Sequence, residues 1–337
     1  MKKIIFLETS DWEKEILQKY PNFLEKVELF SEKLTLENAH KFKEGEIIST
    51  FIGSQLSAEV LKQLENLKFI ATRSTGFDHI DLDFCREKQI LVSNAPDYGK
   101  HTVAEYTFAL LLCLIRKVYN AYHRIRETGS FSLEGLRGEE LFGKTLGVIG
   151  TGQIGTEVIK IAKGFSMNVI AYDKYPKEVL TEQLGFKYVS FEELLSQSDI
   201  ITLHVPYNKE TNHLLNEDSL SKTKKGVYII NTARGGIIET QALYKALKTG
   251  QVGGAALDVL EEEGDLIEEQ RMLLEKENIP PEKLKTLLAN HIFIDLDNVI
   301  ISPHNAFNTK EALENILITT IENIESYLDG EPINLVS

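Results

Sequence analysis

The chain has little cysteine, no long hydrophobic run and a shortage of positive charge. Only Cys85 and Cys113 occur among its 337 residues, both in apolar stretches. Two thiols make no disulfide framework and their spacing fits no metal site, so both are expected to be buried and reduced, with no metal bound. The longest uncharged apolar stretch, Tyr106 to Ile115, is half of what a bilayer requires. The opening MKKIIFLETS has only four apolar residues in a row before Glu8, too few for a signal-peptide core, and reads as a first strand. Lys and Arg total 37 against 51 Asp and Glu, a formal charge of −14. Such a surface repels phosphate backbones and anionic lipid, which argues against nucleic-acid or membrane partners. A small anionic substrate would then need locally placed positive charge. What remains is an ordinary globular composition, 42% hydrophobic and 26% charged, long enough for two domains. A cytoplasmic enzyme is the expectation.

Short apolar runs alternate with helical patterns from end to end, which predicts an α/β protein with parallel sheets. The first runs are Ile4–Leu7, Ile47–Ile52, Lys68–Thr72 and Ile90–Ser93, separated by segments such as Ala58–Leu67 and Asp81–Lys88. A long helix is expected over Val103–Arg126, free of Gly and Pro and apolar on most of its first half. A second series follows: Thr145–Ile149, Val169–Tyr172, Ile200–His204, Val227–Asn231, Ala255–Val259 and Val299–Ser302. Six strands make a complete dinucleotide-binding sheet. Ser190-Phe-Glu-Glu193 carries the capping-box pattern of a helix start. Between Glu261 and Asn298 the chain becomes a charged, helix-prone insertion broken by Pro280-Pro281.

Gly150-Thr-Gly152-Gln153-Ile154-Gly155 follows an apolar run and opens a helical stretch. In that setting Gly150 permits a tight turn, Gly152 lets the backbone approach a pyrophosphate, and Gly155 lets helix and strand pack closely. The helix N-terminus offers unpaired N–H groups to phosphate. Asp173 ends the next run, 18 residues after Gly155, where a carboxylate can take ribose hydroxyls and repel a 2′-phosphate. That favours NAD over NADP, with Lys174 alongside as a counter-signal. A methyltransferase using S-adenosylmethionine fits the same two features. The turn begins at residue 150, so a whole domain precedes it, unlike the L-specific lactate and malate dehydrogenases.

Reducing a 2-oxo acid requires a cation for the carboxylate, an acid for the carbonyl oxygen and a carboxylate partner for that acid. Arg234, in Asn231-Thr-Ala-Arg234-Gly-Gly directly after an apolar run, suits the first task because its planar fork pairs bidentately. An Arg after a strand is also commonly a surface ion pair. For the acid, His304 and His204 both follow strand-like runs, and the residues alone leave the choice open. The partner is equally open among Glu261, Glu262 and Glu263, since a charge run is usually a solvated face.

The segments GVIGTGQIG, HVPYNKET, NTARGG, ALDVLEEE and SPHNAF, with TRSTGFDHIDL and NAPDYGKHTVAEYT before them, together resemble the D-isomer-specific 2-hydroxyacid dehydrogenase family over almost the whole chain. Within it the resemblance is nearest to the D-lactate dehydrogenases, through the Tyr of NAPDY, HVPY and PHNAF. It implies that Arg234 binds the substrate carboxylate, that His304 is the acid/base and that Glu263 is its partner. Thr75 and Gly76 would offer N–H groups to the carboxylate, Tyr98 would close over the substrate, and Phe51 and Phe307 would line the pocket. Gln153 and Ile154 would meet the pyrophosphate and Asp173 the adenine ribose. Val205, Pro206 and Thr211 would flank the adenosine, with Thr232, Ala233 and Asp258 toward the nicotinamide. Leu260 stands where an aromatic residue is usual and Asn308 where a Tyr often follows, and both bear on pocket size.

The resemblance further implies two doubly wound domains. A Rossmann NAD-binding domain, 99–304, is inserted into a flavodoxin-like substrate domain, 1–98 with 305–337. The last helix, Lys310–Leu328, returns to the substrate domain, and domain closure accompanies catalysis. A homodimer through the Val103–Arg126 region is implied as well. The expected reaction is NAD-dependent interconversion of pyruvate and D-lactate. Rivals are a longer or branched 2-oxo acid, glyoxylate, a glycerate-type or phosphorylated substrate, and an NAD(H)-sensing corepressor-type protein. No extra basic cluster speaks for the phosphorylated substrate.

Overall fold

The computed structural model describes residues 3–261, 263 and 281–336. Its strands gather into two separate parallel sheets, and the chain divides into two compact units, Met1–Tyr98 with Asn308–Ser337 and Gly99–Phe307.

In the first unit the strands are β1 (Ile4–Phe6), β2 (Val27–Leu29), β3 (Ile47–Thr50), β4 (Phe69–Thr72) and β5 (Leu91–Ser93), in the order β2-β1-β3-β4-β5. This is the flavodoxin-like order. Side chains alternate across the sheet, as a strand's period of two requires. Ile5, Ile48, Ile70 and Val92 pack on one face with Leu61 and Phe84. Ile4, Phe6, Ile47 and Phe69 pack on the other against Leu317, Ile321 and Ile324 of the Lys310–Leu328 helix. The last helix therefore belongs to the first unit. The sequence gives no apolar run for β2, because an edge strand buries little and Val27–Leu29 is only half covered.

In the second unit seven strands run β12-β11-β10-β9-β6-β7-β8. They are β6 (Thr145–Ile149), β7 (Asn168–Tyr172), β8 (Lys187–Tyr188), β9 (Ile200–Leu203), β10 (Val227–Asn231), β11 (Val252–Leu257) and β12 (Val299–Ile301). The two-residue edge strand β8 is the one beyond the expected six. Order reverses at β6, so the turn after β6 sits at the topological switch point where such sheets bind ligands.

Four expectations need correction. The single helix over Val103–Arg126 is two, Lys100–Ile115 and Val118–Thr128, broken where Lys117 takes a left-handed conformation (φ 55°). The Ile115 carbonyl instead accepts the N–H of Glu139, so a returning segment caps the first helix. Cys113 is only half-buried, whereas Cys85 is buried. The second unit boundary falls after Phe307 rather than at 304, because Asn305 and Ala306 are hydrogen-bonded to Asp258. The expected insertion lies partly outside the described residues, as does Glu262; from Pro281 to Ile294 it is helix. At Phe191–Gln197 the Ser190 hydroxyl caps Glu193 N–H at 3.2 Å, while the Glu193 carboxylate takes Gln197 instead of closing the box. No described helix is long and apolar enough to cross a membrane.

Candidate active site

In the second unit every expected residue stands at or just beyond the carboxyl end of a parallel strand, or opens the helix that follows. Gly150, at φ 94° after β6, lies so close to His204 that a Cβ would reach the His204 carbonyl oxygen at 2.5 Å. Gly155 packs equally tightly on the Gly150 carbonyl. Over Gly152, by contrast, an added Cβ meets nothing within 4 Å, and as N-cap of the Gln153–Gly164 helix this glycine brings no side chain to the helix start. The first turn of a helix, here opened by Gln153 and Ile154, suits a diphosphate because its N–H groups have no intrahelical acceptors. Asp173, after β7, accepts from Thr151 N (2.7 Å), Thr151 Oγ1 (2.8 Å) and Tyr175 N (2.8 Å). Beside it the Lys174 ammonium pairs with Glu210 at 2.5 Å, which answers part of its charge. Val205 follows β9, and Thr211 Oγ1 bonds the Pro206 carbonyl at 2.6 Å, closing the 206–211 turn. The residues present thus fit a dinucleotide.

The next three strand ends are adjacent. After β10, Asn231 shapes the turn: its side chain accepts the Ala233 N–H and donates to the Arg234 carbonyl. Thr232 is tied to Thr107 at 2.9 Å, and the Arg234 guanidinium donates to the Ala233 carbonyl at 2.8 Å. Gly235 is there because its Cα lies against the backbone of Leu260 and Glu261, closer than any side chain allows. The Arg234 turn is therefore pressed onto the segment after β11. That segment carries the three glutamates. Glu261 pairs with His213 Nε2 at 2.6 Å and accepts from Thr240 Oγ1 at 2.7 Å. Glu263 meets His304 Nδ1 at 2.7 Å and accepts the Leu260 N–H at 3.2 Å.

His304 sits at φ 50°, a conformation costly for a non-glycine residue. Asp258 holds it there. Its backbone carbonyl takes the His304 N–H at 2.8 Å, and its side chain takes Ser302 Oγ (2.5 Å), Asn305 N–H (2.8 Å) and Ala306 N–H (2.8 Å). Burial pushes the Asp258 carboxyl above the usual carboxylate range, against the pull of those donors. Phe307 lies edge-on to the His304 ring, centroids 6.2 Å apart. His204, the other histidine after a strand, is different: burial lowers its pKa to about 3 and its Nε2 meets Thr202 Oγ1 at 2.9 Å. A ring kept neutral at working pH is a poor proton carrier. Of the candidates the sequence leaves open, His304 and Glu263 are in contact, Glu261 pairs with His213, and Glu262 lies outside the described residues.

In the first unit the expected residues follow three adjacent strands: Phe51 after β3, Thr75 and Gly76 after β4, and Tyr98 after β5. Among the described residues the N–H groups of Thr75 and Gly76 have no hydrogen-bond acceptor, and Thr75 is exposed. Adjacent free N–H groups at a turn form a concavity for an anion. The base of this loop is locked by Arg73, fully buried, against Glu13 at 2.9 Å with further bonds to Ser49 and the Leu7 carbonyl. Glu8 accepts from Phe51 N, Gly53 N and Ser54 Oγ and so shapes the Phe51 turn. Sequence reading missed Glu8, Asn231 and the His213–Glu261 pair. Each acts on backbone or on a distant loop, and neither spacing nor residue type announces that.

Residues 108–306 match the model of the D-isomer specific 2-hydroxyacid dehydrogenase NAD-binding domain. The D-lactate dehydrogenase of Escherichia coli is 38% identical over 98% of each chain. A 2-hydroxyacid dehydrogenase homolog of Zymomonas mobilis is 40% identical over 89% of each. Among solved structures, the Aquifex aeolicus D-lactate dehydrogenase complexed with NAD and lactic acid superposes with a TM-score of 0.86 at 38% identity, covering 99% of this chain and 98% of that one.

Proposed function

Because the chain belongs to the D-isomer specific 2-hydroxyacid dehydrogenase family, with its NAD-binding domain, we propose that it reduces pyruvate to D-lactate. The observation that carries this reading is the His304–Glu263 contact, with the Arg234 turn packed on the same β11 segment. With Nδ1–H given to Glu263, the His304 Nε2 is left to carry the proton. The glycine turn and Asp173 would hold NADH, which would supply a hydride to the 2-oxo carbon. The carbonyl π pair then moves to oxygen, and His304 protonates that oxygen; in the reverse direction the neutral ring accepts the proton. Arg234 binds the carboxylate through its planar fork. By the family resemblance, Thr75 and Gly76 of the first unit would offer N–H groups to a carboxylate as well. Phe307 bounds the apolar end of the substrate and Leu260 sets its room; for Phe51 and Tyr98, in the first unit, a pocket role rests on the family resemblance.

His304→Gln is expected to fold and to bind NADH while losing about 10²–10⁴ in turnover, the share one acid/base supplies. Near-normal turnover in that variant excludes the role. An NADH-oxidation assay across 2-oxo acids of increasing size, with product chirality determined, tests the substrate; a strong preference for a branched acid over pyruvate would replace pyruvate in this reading.

The same reading includes a homodimer. The Val118–Thr128 helix buries none of its residues, and Val118, Tyr119, Tyr122 and Ile125 are exposed. Phe131 and Leu133 beyond it are 83% and 82% exposed. So many exposed large apolar side chains within sixteen residues suit an interface. Light scattering is expected to give twice the chain mass, and Tyr122→Glu to lower it; a monomeric wild-type protein contradicts the assignment.

A further inference from the structure

The first unit contains a chain of three asparagines that the proposed chemistry does not use. Asn323, on the Lys310–Leu328 helix, is fully buried. Its Nδ2 donates to the Asn94 carbonyl at 2.8 Å, and its Oδ1 accepts Asn334 Nδ2 at 2.7 Å. Asn334 in turn accepts the Asn94 N–H on its carbonyl at 3.2 Å. The Asn94 side chain, only 8% exposed, then donates to the Thr75 carbonyl at 2.7 Å. The amide orientations are dictated by chemistry, since each carbonyl can only accept. The C-terminal tail reinforces the arrangement: Leu335 bridges Ser93, and Val336 N–H bonds the Val92 carbonyl at 2.9 Å.

What this does to the Thr75 loop follows from the rigidity of a peptide group. The Thr75 carbonyl and the Gly76 N–H belong to one trans plane and point in opposite directions. Holding the carbonyl on Asn94 therefore aims the Gly76 N–H the other way. A second tie restrains the following peptide, because Ser74 Oγ donates to the Gly76 carbonyl at 2.6 Å. Thr75 Oγ1 bonds the Ala95 carbonyl at 3.0 Å, and Ala95 N–H the Ser74 carbonyl at 3.0 Å, so the loop is fastened to the strand end that carries Asn94. Among the described residues neither the Thr75 nor the Gly76 N–H has an acceptor, so both remain available to a ligand. A hydrogen-bonded polar chain of this kind, buried at Asn94 and Asn323, is expensive to desolvate and specifies one geometry.

We propose that Asn94, backed by Asn323 and Asn334, is a positioning residue that aims the Thr75–Gly76 N–H groups at the carboxylate of the 2-oxo acid. The inference rests on the proposed function and deepens it: last helix and tail set the affinity for the acid without touching it. Carboxylate contacts persist from ground state to transition state, so their loss raises KM more than it lowers kcat.

The test is steady-state kinetics with pyruvate at saturating NADH, beside NADH titration by fluorescence and thermal melting. Asn94→Leu keeps the size and removes the donor. It is expected to raise the KM for pyruvate and the Kd of the unreactive analogue oxamate by about tenfold, the factor one lost hydrogen bond gives. Asn334→Ala, at a half-buried site, is expected to raise KM by a few-fold, with NADH affinity unchanged in both. A folded Asn94→Leu with wild-type KM overturns the inference, as does a lower melting temperature with no change in KM. Should Asn94→Leu fail to fold, Asn334→Ala decides: a raised KM supports the inference and an unchanged one sinks it. A wild-type protein that turns over no 2-oxo acid removes the proposed function itself, a result distinct from either.

Discussion

Asp258→Asn is the most informative single substitution in the second unit. The change keeps shape and one oxygen, which can still accept from Ser302 Oγ and Asn305 N–H. The new amide group faces the Ala306 N–H, so a charge-assisted hydrogen bond is replaced by two opposed donors. A lost bond of that kind costs about 1.5–3 kcal/mol, and the stranded buried N–H adds about 1–3 more. Burial already disfavours the Asp258 charge, so removing it returns part of the loss. We arrive at about 2–3 kcal/mol for anchoring the 302–306 segment. If the loss is felt locally, His304 leaves its φ 50° conformation and kcat/KM falls by about 30- to 150-fold. If it is felt globally, a unit of this size melts about 4–12 °C lower. NADH affinity should change by less than about twofold, because the side chain's described bonds all go to the 302–306 segment. Wild-type kcat/KM with a wild-type melting temperature refutes the anchoring argument. A raised NADH Kd alone would instead return Asp258 to the nicotinamide contact implied by family resemblance.

Three further outcomes follow from the same geometry. Arg234→Lys is expected to raise the KM for the 2-oxo acid by at least about tenfold, because a lysine has no fork for the carboxylate; unchanged kinetics with pyruvate contradict it. Glu210→Gln frees the Lys174 ammonium beside Asp173 and should improve the kcat/KM with NADPH relative to NADH; an unchanged ratio shows that another group decides cofactor choice. The third concerns acid stability. His204 is held neutral down to about pH 3, whereas an unfolded histidine takes a proton near 6.5, so the unfolded state binds more protons between those values. Stability is therefore complete above about pH 7 and falls as pH drops from 6.5 toward 3. The full shift gives about 2 kcal/mol lost between pH 7 and pH 5, but the residue keeps some contact with solvent, and about 1 kcal/mol is the expected share. Urea unfolding of His204→Asn at both pH values checks this: the wild type should lose that much more than the variant, and parallel losses would remove His204 from the account.

The two sheets were largely legible because buried parallel strands are short apolar runs and little else. Val148, Ile201, Ile230 and Ala255 are all essentially unexposed, and each lies in a run plain in the sequence. The same signal misses β2 and β8, which pair on one side only and need few apolar residues. The break at Lys117 was illegible for another reason. Neither Gly nor Pro marks it, and what ends the helix is a hydrogen bond from Glu139, distant in sequence, to the Ile115 carbonyl. Helix termination by a remote partner leaves no local trace.

For the site, the legible part was backbone geometry and the illegible part was pairing. Glycines at 150 and 155 are forced by contacts that no side chain tolerates, so the turn shows itself in residue type. Glu261 and Glu263, two residues apart in one acidic run, have opposite assignments, one to His213 and Thr240 and the other to His304. Nothing in their identity separates them. The separation comes from the path of the chain after β11, where Gly235 lets the Arg234 turn press on Leu260 and Glu261, and from the Asp258 anchor that brings His304 back from β12. The pair proposed to handle the proton is thus specified by residues outside it, and a change at Gly235 should disturb Glu263 as surely as a change at Glu263 itself. Gly235→Ala is the case to measure: a Cβ at that point overlaps the Leu260 carbonyl carbon, so the two turns must part. Turnover is expected to fall by at least about tenfold with NADH binding kept, since remote misplacement of a catalytic pair by an ångström is enough for such losses. Full turnover in Gly235→Ala would mean that the contact between the turns has no part in holding the pair.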